Sequence, residues 1–187
     1  MTEPTARVRL VRTVDLAADE TAEIRALLTA AFDDDDPDER FGEDDWQHAL
    51  GGIHAVVESG GAIVSHASVV DRELHVDGQA LRAGYVEAVA TLPSEQRRGF
   101  GTVAMRAMNA VIRRDHELGA LGTGAHGFYE RLGWERWHGP TSVRIDGRDQ
   151  RTPDEDGFIL VLRTSRSPVN LELTAPISCD WRPGDVW

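Results

Sequence analysis

Residues 84–102 read GYVEAVATLPSEQRRGFGT, and this stretch decides the fold. Its apolar run, 86–91, predicts a buried strand, and a short turn separates that strand from the loop 96–101. A helical pattern follows directly, and Arg97 and Arg98 lie just before it. Glycine leaves backbone N–H groups accessible and the N-terminal end of a helix is positively polarised, so this arrangement predicts a phosphate-binding turn.

The spacing of the glycines distinguishes this turn from a dinucleotide-binding turn. Gln96, Gly99 and Gly101 follow the pattern Q-x-x-G-x-G, whereas the dinucleotide turn has G-x-G-x-x-G within a βαβ unit. The strands that we predict before residue 96 are joined by tight turns and not by helices. A dinucleotide site of that kind is therefore excluded.

The segments around this stretch predict one mixed α/β domain built in layers. A chain of 187 residues suits a single domain, 1–187, with a full-sized hydrophobic core. Helices are expected at 19–32, 46–50, 99–116 and 127–132, with Gly119 ending the long one. Strands are expected at 7–11, 53–58, 62–70 and on to about 76, 80–91, 134–137 and 158–162, with a short apolar segment at 120–121. Residues 164–187 form a tail with little periodicity.

All 20 basic residues are arginine, and the absence of lysine excludes several mechanisms. Schiff-base chemistry, a pyridoxal-phosphate anchor and a P-loop lysine all require that side chain. The 32 acidic residues give a net charge of −12, which repels nucleic acid and anionic membranes and attracts cations. We therefore expect a positively charged small-molecule partner. Such a composition is also typical of a GC-rich genome or a salt-tolerant organism. Only the positions of the carboxylates can therefore show whether the negative charge serves to bind a cationic partner.

Residues 33–45 read DDDDPDERFGEDD and concentrate nine carboxylates beside the single Arg40. Pro37 and Gly42 prevent a continuous helix, so we predict a mobile acidic loop. The alternative is an ordinary solvated surface run, which is what most charged runs are.

The cysteine, the histidines and the N-terminal sequence limit the possible disulfides, metal sites and cellular locations. Cys179 is the only cysteine, so an intrachain disulfide is impossible and a buried thiol is expected. His48 and His54 are six residues apart and no His-Cys cluster exists, so we predict no metal. The N-terminus lacks a signal pattern and no run of 18 apolar residues exists, which favours a cytoplasmic protein with no membrane partner.

Two motifs in the correct order resemble the GNAT superfamily of N-acetyltransferases. The first is the turn from Gln96 to Gly101, which is similar to the family's acetyl-CoA pyrophosphate loop. The second is GFYERLGW at 127–134, which resembles the downstream helix whose tyrosine faces the CoA sulfur. The resemblance implies the GNAT fold, a mixed sheet flanked by helices, and acetyl-CoA as co-substrate. It places the cofactor on Val89, Ala90, Thr91, Gln96, Arg97, Arg98, Gly99, Phe100, Gly101 and Thr102.

Acetyl transfer to an amine needs a base, a polarised carbonyl and a proton for the leaving thiolate. The carboxylate of Glu87, on a strand next to the acyl donor, could take the ammonium proton directly or through water. The N–H of Val89 resembles the family's carbonyl-polarising group, and Tyr129 would protonate the thiolate. The alternatives are a salt-bridged strand carboxylate for Glu87 and a core aromatic for Tyr129.

A closer resemblance links most of the chain to the aminoglycoside 2'-N-acetyltransferases of actinobacteria. It is carried by residues 7–11, 45–55, 84–90, 137–143, 151–154 and the C-terminal CDWRPGDVW at 179–187. The resemblance implies a homodimer, Glu87 as a water-assisted base and Tyr129 as the acid. It also implies a substrate pocket that the tail helps to form, lined by Asp45, Glu87, Glu155, Asp185 and the terminal carboxylate of Trp187.

Some alternatives stay open at this point. A further acidic contact just before Asp45 could be Asp36, Asp38 or Glu39. The substrate could instead be another polyamine or an amino sugar, because an acidic pocket would serve both. A non-catalytic acyl-CoA sensor with the same fold is the rival from a different functional class.

Overall fold

The structure is a computed structural model that describes residues 6–33 and 40–187, and it confirms the mixed α/β class. The helices are α1 (Ala18–Ala31), α2 (Glu43–His48), α3 (Phe100–Asp115) and α4 (His126–Glu130). The strands are β1 (Arg7–Arg12), β2 (Ile53–Ser59), β3 (Ala62–Val76), β4 (Gln79–Thr91), β5 (Leu118–Gly122), β6 (Glu135–Arg136), β7 (Thr141–Ile145), β8 (Arg148–Arg151), β9 (Ile159–Arg163) and β10 (Ile177–Asp180).

The described residues group into two compact units. The first comprises the residues up to Val70 together with Val86–Met108, and the second comprises Asp71–Tyr85 and Asn109–Trp187. Strands β3 and β4 and helix α3 each contribute one part to each unit.

The first unit packs α1 over strands β1 to β4. Strands β1 and β2 pair antiparallel, β2 pairs antiparallel with β3, and β3 lies beside β4. The apolar stripe of α1 follows helical spacing, and it buries Ile24, Leu27 and Leu28 against the strands. Their cluster also contains Trp46, Ala49, Val56, Ile63 and Ala90. This apolar contact therefore fixes α1 and α2 on the sheet that carries the second half of β4.

The second unit contains a mixed sheet in the order β6-β9-β5-β4-β3-β10-β7-β8. The pairs β4–β5 and β7–β10 are parallel, and the β5–β9, β6–β9, β3–β10 and β7–β8 pairs are antiparallel. The pairing of β4 with β5 covers Ala83 to Tyr85. A Cβ atom at Gly119 would lie 2.9 Å from the Cβ atom of Leu162, so this strand position requires glycine. Gly119 therefore lies in β5, and the prediction that it ends the preceding helix was wrong.

Several elements differ from those that the sequence predicts. Residues 62–76 form one continuous strand, β3. Strands β7 and β8 were not predicted, because β8 consists of four exposed polar residues and has no apolar alternation. Asp146 and Gly147, with φ of 50° and 74°, form the tight turn between β7 and β8. This Asp-Gly pair was the feature of the sequence from which the hairpin could have been predicted. Strand β10 lies inside the supposedly irregular tail.

The end of the acidic segment departs from the predicted mobile loop. Its last three carboxylates, from Glu43 to Asp45, form the first turn of α2, where the helix dipole favours negative charge. Residues 34–39, including Asp36, Asp38 and Glu39, lie outside the described residues. Within the part of the chain that is described, we find no helix with the length and apolar character needed to cross a membrane.

Two histidines lie in the interior of the first unit and are kept neutral by burial. His54 Nδ1 lies 2.9 Å from His66 Nε2, and both side chains are fully buried. Burial lowers the pKa of His54 to about 4. Burial, reinforced by the neighbouring His54, lowers the pKa of His66 to about 3. Both rings are therefore uncharged at neutral pH.

Because both histidines are neutral in the folded protein, we expect mild acid to lower the free energy of unfolding. Below about pH 6.5 the unfolded chain protonates both histidines while the folded chain does not, so the free energy of unfolding falls as the pH falls. Each histidine contributes up to about 1.4 kcal/mol per pH unit until the pH reaches its folded pKa. Urea unfolding between pH 7 and pH 5 measures this slope.

The variant His66→Leu should have a shallower slope than the wild type, because one titrating group is gone. The exposed His138 provides the matched control, and His138→Gln should keep the wild-type slope. Equal slopes for His66→Leu and the wild type would show that the pair is not neutral in the folded protein.

Candidate active site

The predicted phosphate-binding turn lies in the first unit, between the end of β4 and the start of α3. Gly99 has φ of 89°, and its carbonyl accepts the first helical hydrogen bond from the N–H of Val103 at 3.1 Å. A Cβ atom built on Gly99 would meet no atom within 4 Å, so the backbone there is open to a ligand. Gln96 closes the turn by donating from Nε2 to the carbonyl of Thr91 at 3.4 Å.

The two arginines of the turn have different surroundings. Arg98 pairs with Glu95, and its guanidinium lies 5.3 Å from the ring centroid of the buried Phe100. Arg97 is exposed, has φ of 62°, and forms no hydrogen bond or ion pair with another residue in the ranges 6–33 and 40–187. Arg97 is therefore the arginine whose charge is available to an anionic ligand.

The end of β4 contains an irregularity between two of the predicted site residues. Ala88 has φ of 50°, a left-handed conformation that is rare for a residue other than glycine. Glu87 and Val89, on either side, are half-buried. Regular strand alternation is therefore interrupted between the candidate base and the candidate carbonyl-polarising N–H.

Side chains of β3 hold the carbonyl groups of this irregular segment. Ser65 Oγ donates to the carbonyl of Ala90 at 2.7 Å, and Ser68 Oγ donates to the carbonyl of Glu87 at 3.3 Å. His66 Nδ1 lies 2.8 Å from the carbonyl oxygen of Ala88. Strand β3 thus fixes the bent backbone through its side chains.

Asp45 also lies in the first unit, as the third residue of α2. It is half-buried, and its Oδ2 accepts the N–H of Gly42 at 2.7 Å. One carboxylate oxygen of Asp45 is therefore used to cap the helix.

Tyr129 lies in the second unit, on α4, and is 7% exposed. Its ring makes edge contacts with Phe128 and Trp134, at centroid distances of 4.9 and 6.2 Å. Its backbone carbonyl accepts the N–H groups of Leu132 and Trp134, which fixes the end of the helix. Burial raises the pKa of Tyr129 to about 12, so the phenol is protonated at neutral pH.

The second unit brings several predicted substrate contacts together. Glu155 ends the short 3₁₀ turn Pro153–Glu155, and its pKa is raised by burial and then by the charges of Asp185 and Asp154. The next residue, Asp156, fixes this turn by accepting the N–H of Thr141 at 2.9 Å and pairing with Arg151 at 2.7 Å. Carboxylates crowded in this way gain stability when a cation joins them.

Trp187 and the segment before it are anchored in the same unit. Trp187 is 7% exposed, and its indole Nε1 donates to Thr152 Oγ1 at 3.1 Å. Arg72 Nη2 donates to the carbonyls of Asp180 and Val186, at 3.0 and 2.9 Å. The C-terminal residues are therefore held as an ordered part of this unit.

Arg72 is a residue that our sequence analysis missed. Besides its two hydrogen bonds, its guanidinium lies 4.7 Å from the centroid of the Tyr85 ring. Arg72 follows the apolar run of β3 and lies between Asp71 and Glu73, so its place in the sequence gives no signal of this role. Cys179 is fully buried as predicted, and burial raises its thiol pKa, which makes a nucleophilic role unfavourable. No group of three or more metal-ligating side chains occurs among the residues that the structure describes.

Comparison with known proteins identifies the family of this chain. The family model described as Acetyltransferase (GNAT) domain matches residues 12–137. The curated aminoglycoside 2'-N-acetyltransferase of Mycolicibacterium fortuitum is 43% identical over 183 residues, which cover 96% of this chain and 91% of that protein.

Solved structures support the fold. The GNAT family N-acetyltransferase YhbS of Escherichia coli, determined in complex with CoA, matches 96% of this chain and 93% of its own, with a TM-score of 0.66 and 16% identity. The GCN5-related N-acetyltransferase of Kribbella flavida matches 73% of this chain with a TM-score of 0.57 and 22% identity, and this chain covers 34% of its length. The family model and the M. fortuitum relative together cover nearly all of the sequence, and the chain therefore belongs to the GNAT acetyltransferase family.

Proposed function

We propose that this protein transfers the acetyl group of acetyl-CoA to the 2'-amine of aminoglycosides. The substrate class rests on one observation above all, the crowding of Glu155, Asp185 and Asp154 in the second unit. Aminoglycosides carry several ammonium groups, and each would relieve the mutual repulsion of these carboxylates. The M. fortuitum relative, which is named for this activity, supports the same choice.

The turn after β4 supports binding of the donor. Acetyl-CoA supplies the acetyl group as an activated thioester, as it does for GNAT enzymes. Open backbone at Gly99, the N-terminal end of the 16-residue α3 and the exposed charge of Arg97 suit the pyrophosphate. The flanking positions Val89, Ala90, Thr91, Gly101 and Thr102 complete the proposed cofactor contacts.

The chemical roles follow from the groups that each position offers. Glu87 takes a proton from the substrate ammonium through water, which leaves a neutral amine. The amine nitrogen forms a bond to the thioester carbon while the N–H of Val89 stabilises the negative carbonyl oxygen. The C–S bond then breaks, and Tyr129 gives its phenolic proton to the thiolate. The acetylated nitrogen loses its second proton through water, and this proton restores the phenol. No acetyl group is carried by the protein in this proposal.

The proposal also retains a single domain and a cytoplasmic location, which length and sequence pattern favour. It retains two features that the family resemblance implies, a homodimer and substrate contacts from Asp45 and from the C-terminal residues 164–187, among them Asp185 and Trp187. Sedimentation equilibrium of the purified protein tests the dimer, and a monomer at micromolar concentration would overturn it.

The first experiment compares two aminoglycosides that differ at the relevant position. Thiol release from acetyl-CoA should be fast with tobramycin, which has a 2'-amine, and absent with kanamycin A, which has a 2'-hydroxyl. Release with both would reassign the acetylated position. Release with neither would redirect the search to other polyamines, to amino sugars or to a sensor role.

A second experiment tests the base. Glu87→Gln should lower kcat by about 10²-fold, because the amide cannot accept the ammonium proton, while the Kd for CoA changes little. The exposed Glu172 offers a matched control, and Glu172→Gln should keep wild-type kcat. Wild-type turnover in Glu87→Gln would remove this residue from the mechanism.

A third experiment tests the tail. Deletion of Trp187 should raise the KM for tobramycin about tenfold and leave the KM for acetyl-CoA unchanged, because a charge-assisted contact is worth about 1.5 kcal/mol or more. Thr152→Val removes the acceptor of the Trp187 indole together with the hydrogen bond from Thr152 Oγ1 to Thr141 Oγ1, and it should raise the same KM by a smaller factor. An unchanged KM for the deletion variant would make the tail purely structural.

A further inference from the structure

The first unit contains a connected series of hydrogen bonds to which the proposed reaction assigns no role. The N–H of Gly51 donates to Thr13 Oγ1 at 2.9 Å, and Thr13 Oγ1 lies 2.8 Å from His54 Nε2. His54 Nδ1 lies 2.9 Å from His66 Nε2, and His66 Nδ1 lies 2.8 Å from the carbonyl oxygen of Ala88. The series therefore runs from the loop after α2, through two buried rings, to the irregular segment of β4.

The last acceptor determines the direction of every bond. The carbonyl of Ala88 can only accept, so the proton of His66 must be on Nδ1, and its Nε2 must accept from Nδ1 of His54. Nε2 of His54 is then an acceptor, which requires the Thr13 hydroxyl to donate to it. Both rings are neutral, in agreement with their burial and lowered pKa values. One carbonyl group thus fixes both histidine tautomers and the Thr13 hydroxyl.

The geometry of the peptide bond connects this series to the proposed chemistry. The carbonyl of Ala88 and the N–H of Val89 belong to the same planar, trans peptide unit, so they point in opposite directions. A rigid ring that holds the carbonyl therefore also fixes the direction of the N–H. Ala88 needs such a constraint, because its left-handed conformation is unfavourable for an alanine.

The hydrogen bond also affects the strength of the N–H as a donor. A carbonyl that accepts a hydrogen bond polarises its peptide unit, and hydrogen bonds in a connected series strengthen one another. The rings are excluded from water, so the effect is not screened by solvent. His66 would thus both orient the backbone N–H of Val89 and make it a stronger hydrogen-bond donor.

We propose that His66, supported by His54 and Thr13, is a positioning residue that orients the Val89 N–H for stabilising the thioester oxygen. This inference rests on the proposed function, because Val89 has that role only in acetyl transfer. His66 itself touches neither the substrate nor the cofactor in this proposal.

The kinetic test uses variants that separate the hydrogen bond from packing. His66→Leu fills the space but cannot donate, whereas the amide nitrogen of His66→Asn lies near the position of Nδ1 and can donate to Ala88. We expect His66→Leu to lower kcat by about tenfold or more, with less than a twofold change in the Kd for CoA. His66→Asn should recover most of kcat.

A control variant accounts for lost stability. Leu27 belongs to the apolar cluster against which Ala88 packs, but it takes no part in the hydrogen-bonded series. Leu27→Ala should therefore lower the midpoint of urea unfolding through a cavity while keeping wild-type kcat at temperatures where the protein is folded. If His66→Leu keeps wild-type kcat, or if the Leu and Asn variants lose activity equally, the positioning role is overturned.

A spectroscopic test stays informative if no aminoglycoside is turned over, and so separates failure of this inference from failure of the proposed function. In ¹H–¹⁵N spectra of the wild type at pH 7, both His54 and His66 should be neutral with the proton on Nδ1. The Val89 amide resonance should shift in His66→Leu and return toward its wild-type position in His66→Asn. A proton on Nε2 of either ring, or an unshifted Val89 amide in His66→Leu, would overturn the proposal.

Discussion

Ala88 adopts a backbone conformation that alanine rarely takes, and much of the candidate site depends on that single residue. On the N-terminal side of Ala88, β4 is buried from Ala83 to Val86, and on the C-terminal side the strand continues to Thr91 and leads to the turn before α3. Side chains from β3 bond to the carbonyls of residues 87, 88 and 90. The bend is therefore held from outside the strand, by groups that the neighbouring strand supplies.

The sequence predicted those parts of the fold whose signal lies within one element. Helix α1 follows from apolar spacing, and the turn at 96–101 follows from its glycines. Strand β8 could not be predicted from periodicity, because its four residues are all exposed and polar. Strand β10 is recognisable only through its partners β3 and β7, since pairing rather than pattern makes it a strand.

The histidine pair in the candidate site also depends on contacts between residues that are distant in sequence. Sequence reasoning compared His48 with His54, using the spacing that applies to a helix. The relevant neighbour is His66, because the antiparallel register pairs Val56 with His66 and so places His54 diagonally across from it. The carboxylates of the second unit likewise become a cluster only when the turn at 153–155 and the C-terminal segment fold together. Their residue types were predictable, but their proximity was not.

The exclusive use of arginine has a consequence for the protein's own covalent integrity. A thioester acetylates side-chain amines that come close to it while they are neutral, and lysine is the side chain that reacts in this way. Guanidinium groups stay protonated and do not attack acyl carbons, yet they still bind anions such as pyrophosphate, as proposed for Arg97. The arrangement at Arg72, one guanidinium bonded to two carbonyls and stacked on Tyr85, also suits a planar group better than an ammonium. With no lysine in its sequence, the protein can hold a reactive acyl donor without offering it a side-chain amine to damage.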